Sequence, residues 1–153
     1  MKKLWINALL SAMFISISIF VFAERREKEI KIEELPQSVQ QFVSSHFDEA
    51  TITSARIVKY GYHKVLLSDG YELLFDRQGK WLKISNDIGK ELPSSIMSLL
   101  PQTTQMYMAD KYPNYHLSSI ERNSHGYEAK IDGTHAMKIH FDPKGKFINE
   151  TLD

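Results

Sequence analysis

Two stretches of this chain follow one pattern, and that limits what the chain can fold into. Leu35-Pro36-Gln37 recurs as Leu100-Pro101-Gln102, 65 residues on. At the same offset Val39, Phe42, Val43 and Phe47 map onto Thr104, Tyr107, Met108 and Tyr112, and Tyr62 maps onto Tyr127. Phe75-Asp76-Arg77-Gln78-Gly79-Lys80-Trp81 then maps onto Phe141-Asp142-Pro143-Lys144-Gly145-Lys146-Phe147, 66 residues on. A shared FDxxGK-aromatic motif at nearly constant spacing marks an internal duplication. The two copies run over about residues 35–87 and 92–153.

Each copy dictates the same local structure. Pro36 and Pro101 suit a first helical turn, where the missing N–H costs nothing. Apolar residues at i, i+3, i+4 and i+8 then define one helical face. Asp48 and Pro113 lie where these helices should stop. Strand-like runs follow at 50–60, 62–68, 71–76 and 80–84, and again at 116–122, 127–131, 135–142 and 146–150. Asp69-Gly70 reads as a two-residue hairpin turn, since a tight turn needs positive φ. Asp76 and Asp142 suit turn positions where the carboxylate accepts local N–H groups, with Gly79 and Gly145 supplying positive φ. A short helix is expected in the joint at 92–100. Helix then antiparallel strands, twice, is an α+β arrangement with helices packed on one face of the sheet.

The N-terminal stretch carries an address. Lys2 and Lys3 precede an apolar run from Leu4 to Phe22, and Val21-Phe22-Ala23 suits cleavage after Ala23. Residues 1–23 therefore read as a signal peptide that sends the protein to the periplasm or beyond. The competing reading is an uncleaved membrane anchor, since the run nearly reaches the roughly 20 residues that span a bilayer. Membrane contact is expected only through this segment, and only if it is kept. Residues 24–34 hold nine charges of mixed sign and read as a charged, solvated spacer. The folded part expected beyond it is 35–153.

Composition excludes several kinds of function. The chain has 19 basic and 19 acidic residues; loss of 1–23 removes two lysines and no acid, so no basic excess exists for nucleic acid. Cysteine is absent, which rules out disulfides, thiol nucleophiles and Cys-based zinc sites. Among the six histidines, none forms HExxH or a metal-like cluster with carboxylates. The FDxxGK motif lacks the spacing of a phosphate loop and of a calcium-binding EF-hand. His63 and Asp76 fall on one face of the first hairpin, where a carboxylate can orient an imidazole, but no serine sits in a nucleophile elbow. No catalytic residue, cofactor or metal is expected.

Strand alternation assigns the faces. In the second hairpin, given a three-residue loop at 132–134, Tyr127, Ala129, Ile131, Met137, Ile139 and Phe141 face the core. Glu128, Lys130, Ala136, Lys138 and His140 face solvent. In the first hairpin, a two-residue turn puts Tyr62, Leu66, Tyr71, Leu73 and Phe75 on the core face. Val65, Leu67 and Leu74 then lie where the second copy is polar. An apolar patch of this kind marks an interaction site, or else is covered by a neighbouring strand, a loop or the N-terminal segment. With the Asp69-Gly70 tip and Trp81, set outward if Leu82 and Ile84 point in, these residues form the candidate partner-binding surface.

The export segment, the paired LP-helix-strand units and the twin FDxxGK motifs resemble the PepSY-like proteins, also described as β-lactamase-inhibitor-like secreted proteins. The resemblance spans about residues 35–151 and rests on Phe75, Asp76, Gly79, Lys80 and Trp81, on Tyr112-Pro113 and Tyr127, and on Phe141, Asp142, Gly145, Lys146 and Phe147. It implies a β-lactamase-inhibitory-protein-like fold that presents an open sheet face and hairpin tips to a target. The expectation is an exported, non-enzymatic module that binds an envelope protein or peptide, with inhibition of an envelope enzyme as one form of it. The alternative is a binder of a small apolar ligand or lipid.

Overall fold

A computed structural model describes residues 27–86 and 88–153. The signal segment and its cleavage position lie outside them. The strands are β1 (Lys28–Glu29), β2 (Ile52–Ile57), β3 (His63–Leu67), β4 (Tyr71–Phe75), β5 (Trp81–Asn86), β6 (His116–Asn123), β7 (Gly126–Asp132), β8 (Met137–Phe141) and β9 (Phe147–Leu152). They form one nine-stranded sheet in sequence order, every neighbour pair antiparallel. Helix α1 (Gln37–His46) precedes β2, while α2 (Ser94–Met97) and α3 (Gln102–Lys111) lie between β5 and β6. All eight expected strands form. β1 is an addition.

That addition corrects the reading of 24–34 as a solvated spacer over the residues described, 27–34. Lys28 and Glu29 pair with Ile57 and Arg56, and the Ile30 N–H donates to the Ala55 oxygen at 2.9 Å. Ile30 and Leu35 are buried in the core. Two apolar side chains among many charges are enough to dock the segment on the edge of β2.

The core lies between the helices and one face of the sheet. Ala55, Val65, Leu73, Ile84, Ile120, Ala129 and Ile139 form an unbroken transverse row across β2–β8, all buried. Val39 and Val43 of α1 and Thr104 and Met108 of α3 are also buried. Phe42 meets Phe75 edge-on at 5.2 Å, and Tyr107 meets Phe141 edge-on at 5.7 Å. Each is an aromatic contact between a helix and the sheet.

The same turn closes each half. Asp76 Oδ1 accepts from the N–H groups of Gln78 and Lys80, both at 2.9 Å. Asp142 Oδ1 accepts from Lys144 and Lys146 at 2.8 and 2.9 Å. These turns sit against the helix starts. Ser38 donates to the Gln78 oxygen, Thr103 to the Lys144 oxygen and Thr104 to the Gly145 oxygen. The LP and FDxxGK motifs therefore touch in three dimensions. The prolines stand one residue before their helices, at the caps, with φ of −51° and −53°.

Two face assignments are overturned. The loop between β3 and β4 holds three residues, Ser68-Asp69-Gly70, and Gly70 closes it with φ +88° and an N–H bond to the Leu67 oxygen. Leu66 consequently pairs with Glu72 rather than with Leu73. One residue of slip reverses every side chain of the strand. Val65 and Leu67 are core, at 0% and 2% exposure, while Leu66, expected inside, is 41% exposed. Trp81 is also corrected. A β-bulge where β4 meets β5 pairs Trp81 with Phe75, so Trp81 and Ile84, three apart, both turn inward. The second half has a bulge at the matching place, pairing Phe147 with Phe141. The hairpin of β7 and β8 pairs Tyr127 with Phe141, two residues from the expected register, so its faces stand as assigned.

Candidate functional site

The face away from the helices is the candidate site. Its central row reads Arg56, Lys64, Leu74, Lys83, Glu121, Glu128, His140 and Asn149 across β2–β9. The next row holds Ser54, Leu66, Glu72, Ser85, Ser119, Lys130, Lys138 and Thr151. Apart from Ser85, these side chains are half-buried or exposed. The two apolar residues of these rows, Leu66 and Leu74, lie in the first half of the face, and charged residues lie in both halves.

Two concavities mark its middle, where the halves join through β5 and β6. One of about 550 Å³ is lined by Tyr62, Leu74 and Leu82, with Lys83, Glu121, Arg122, Asn123 and Ser124 around them. The other, about 430 Å³, is polar: Lys83, Ser85, Ser119, Glu128, Lys130 and Lys138 are among its lining residues. Ion pairs organise the charged residues. Lys130 and Lys138 both bind the Asp153 carboxylate, and these bonds hold its pKa down at about 2. His140 lies 3.6 Å from Glu128, and Lys64 is 2.9 Å from Glu72.

The residues expected to bind a partner separate into two sets. Leu74 lies on the open face, half-buried, in the larger concavity. Val65 and Leu67 are sealed in the core and present no surface. Trp81 is 9% exposed, faces Tyr127 at 6.3 Å and has the Arg122 guanidinium 4.9 Å from its ring centre. The Asp69-Gly70 tip is tied down rather than free. Asp69 bonds Lys90 at 3.1 Å, and the Lys90 ammonium sits 5.0 Å above the Tyr71 ring. The Tyr71 hydroxyl donates to the Glu91 oxygen at 2.5 Å, and burial raises its pKa.

Alternation missed Leu66, Leu82, Tyr62 and Arg122. Leu66 was concealed by the register slip. Leu82 was concealed by the bulge, which no residue type in the motif announces. The His63–Asp76 pair does not form between side chains. His63 Nδ1 meets the Asp76 backbone oxygen at 3.2 Å, while the carboxylate caps its own turn. Among the described residues, no group of three or more His, Asp or Glu lies close enough to hold a metal ion. No helix among them is long and apolar enough to cross a membrane.

The family model described as "Putative beta-lactamase-inhibitor-like, PepSY-like" matches residues 60–149. The chain belongs to this family. The PepSY-like match covers both FDxxGK turns and all of β3–β8, so both concavities fall within it. Among curated proteins no sequence matches. Solved structures match more widely. A protein described as a "putative calcium-regulated periplasmic protein" from Bacteroides thetaiotaomicron superposes with a TM-score of 0.70 at 26% identity, covering 82% of this chain and 96% of the other. A protein described as a "putative periplasmic protein of unknown function" from Bacteroides vulgatus gives 0.72 at 27%, covering 82% and 98%. A second protein from that organism, of the DUF2874 family, gives 0.72 at 26%, covering 82% and 97%. This PepSY-like chain thus shares an α+β fold with these solved chains over nearly their whole length.

Proposed function

We propose that this protein is an exported, non-enzymatic binding module that engages a protein or peptide through the open face of its sheet. The observation that carries this reading is the apolar concavity of about 550 Å³ around Tyr62, Leu74 and Leu82 on a face that the helices leave uncovered. Leu66, 41% exposed, extends the apolar area. A concave, partly apolar surface ringed by Lys83, Glu121 and Arg122 has the anatomy of an interface: apolar centre and polar rim. The family's name supports inhibition of an envelope enzyme as the form this binding takes. The periplasmic proteins of similar structure support an envelope location, reached through a signal peptide cleaved after Ala23. The matched LP-helix-strand units support an origin by duplication.

The test is capture of partners from the host's envelope extract on immobilised protein, with Leu74→Glu as the control. A partner held by the natural protein and lost by Leu74→Glu supports the reading, and its inhibition is then assayed. Partners held equally by both place binding elsewhere.

One observation favours a second reading. A concavity of about 320 Å³ opens between α3 and the sheet, lined by residues that include Met97, Met108, Tyr112, Tyr115, Leu117 and Ile131. Its apolar lining suits a small apolar ligand or lipid. Native mass spectrometry of protein from its own host tests this: a retained adduct supports it, and the bare polypeptide mass counts against it.

A further inference from the structure

On the open face two lysines stand directly opposite each other, Lys130 of β7 and Lys138 of β8. Like charges so placed repel, and an anion between them removes that cost. In the structure the anion is the Asp153 carboxylate, which bonds both ammoniums. The pair thus works as a clamp for one carboxylate.

The clamp has a second side. Across the sheet the row runs Ser85, Ser119, Lys130, Lys138 and Thr151. The lysines therefore stand between Asp153, which follows β9, and the polar concavity over β5 and β6. Lys83, Lys130 and Lys138 line that concavity with Glu128 and Asp132, three positive groups against two negative ones; Asp153 is not part of its wall. Glu128 is turned to His140, 3.6 Å away. Lys83, opposite Glu121 in the ladder, makes no ion pair among the described residues. Asn86, a further lining residue, is buried. Its Oδ1 accepts from the Ile88 and Lys90 N–H groups, and its Nδ2 has no acceptor among the described residues. The wall is short of one negative group.

We propose that this concavity is the acidic-side-chain subsite of the partner-binding face, with Asp153 its internal competitor. The inference rests on the reading of the open face as a docking surface. An Asp or Glu of the partner polypeptide enters from the β5–β6 side, draws Lys130 and Lys138 away from Asp153, and adds Lys83. Charge complementarity selects that occupant. Lys83 also borders the apolar concavity at Leu74 and Leu82, so one partner segment can seat an apolar side chain there and an acidic one beside it.

The experiment uses the natural protein, Asp153→Asn and Lys138→Gln, each checked by circular dichroism. In an NMR titration at fixed ionic strength, acetyl-aspartate methylamide should shift the Lys130 and Lys138 amide resonances saturably, and its asparagine counterpart should not. Asp153→Asn should bind the probe about threefold or more tightly, because removing an internal competitor raises the fraction of free sites. Lys138→Gln should lose the saturable shift. No saturable shift in Asp153→Asn, or equal affinity with and without the Asp153 carboxylate, overturns the inference. A partner captured through Leu74 should likewise be held more tightly by Asp153→Asn and less tightly by Lys138→Gln. Equal retention by all three proteins overturns the inference and leaves the open-face reading standing, whereas a partner insensitive to Leu74→Glu removes both.

Discussion

The Thr104 hydroxyl, fully buried in the first turn of α3, donates to the Gly145 backbone oxygen at 3.0 Å. The two residues are 41 positions apart, and the bond fastens the start of a helix to the turn between two strands. The first half has Val39 in place of Thr104 and so lacks this bond; there Ser38, the counterpart of Thr103, donates to the Gln78 oxygen at 3.3 Å. Thr104→Val keeps the shape and removes the donor, leaving a buried carbonyl unpaired at a cost of about 1–3 kcal/mol. Ser38→Ala, at an exposed bond, should cost less than about 0.5 kcal/mol. Urea unfolding followed by circular dichroism measures both; equal effects would mean that the buried bond does not anchor the helix.

Gly145 is constrained twice. Its φ is +82°, and a Cβ there would come within 2.5 Å of Pro101 Cβ and 2.7 Å of both threonine hydroxyls. Gly145→Ala should therefore lose about 2–4 kcal/mol, from left-handed strain plus overpacking. Gly89 has φ +76° and, among the described residues, no atom beyond its chain neighbours within 4 Å of a Cβ. Gly89→Ala isolates the strain and should lose about 1–2 kcal/mol. A Gly145 variant no worse than the Gly89 variant would show that the helix start yields freely.

Neighbouring leucines on β3 should behave oppositely. Leu67→Ala opens a cavity in the core and should cost about 2–5 kcal/mol. Leu66→Ala removes a largely exposed side chain and should cost less than about 1 kcal/mol. Denaturant midpoints decide. The reverse order would restore the two-residue turn and the opposite facing of the strand.

The Asp153 carboxyl gives a pH signature. Its bonds to Lys130 and Lys138 depress its pKa from 3.8 to about 2 in the folded protein. A depressed folded value stabilises above the unfolded pKa, and that contribution disappears as pH falls from near 3.8 through about 2. Asp153→Asn should therefore be less stable than the natural protein at pH 6, with the gap closing toward pH 2 and shrinking in high salt, since the carboxylate is exposed. A gap independent of pH would remove the ion pairs as its source.

Trp81 offers an optical check. In protein made without residues 1–23, and so without Trp5, it is the only tryptophan. At 9% exposure it should resist quenching by iodide until the protein unfolds. Strong quenching of the folded protein would return Trp81 to the surface.

Sequence alone determined the order of the elements. Proline before an apolar helical face, and aspartate four residues ahead of a lysine with glycine between, are local signals whose chemistry acts within a few residues. That is why α1, α3 and the turns at Asp76 and Asp142 were legible, and why the second hairpin's faces were too, with its charges cleanly on one side. The first hairpin had aliphatic residues on both faces, so its pattern did not choose a register. Only the tertiary structure did, by burying Val65 and Leu67 in the core and closing the strand with a three-residue loop at Gly70. The bulge that turns Trp81 inward and brings Leu82 to the open face was decided in the same way. It satisfies aromatic packing across the sheet, a constraint between residues distant in sequence that alternation along one strand does not contain. The candidate site inherited those outcomes: its place, the open sheet face, followed from the pattern, and most of its apolar residues followed from the packing.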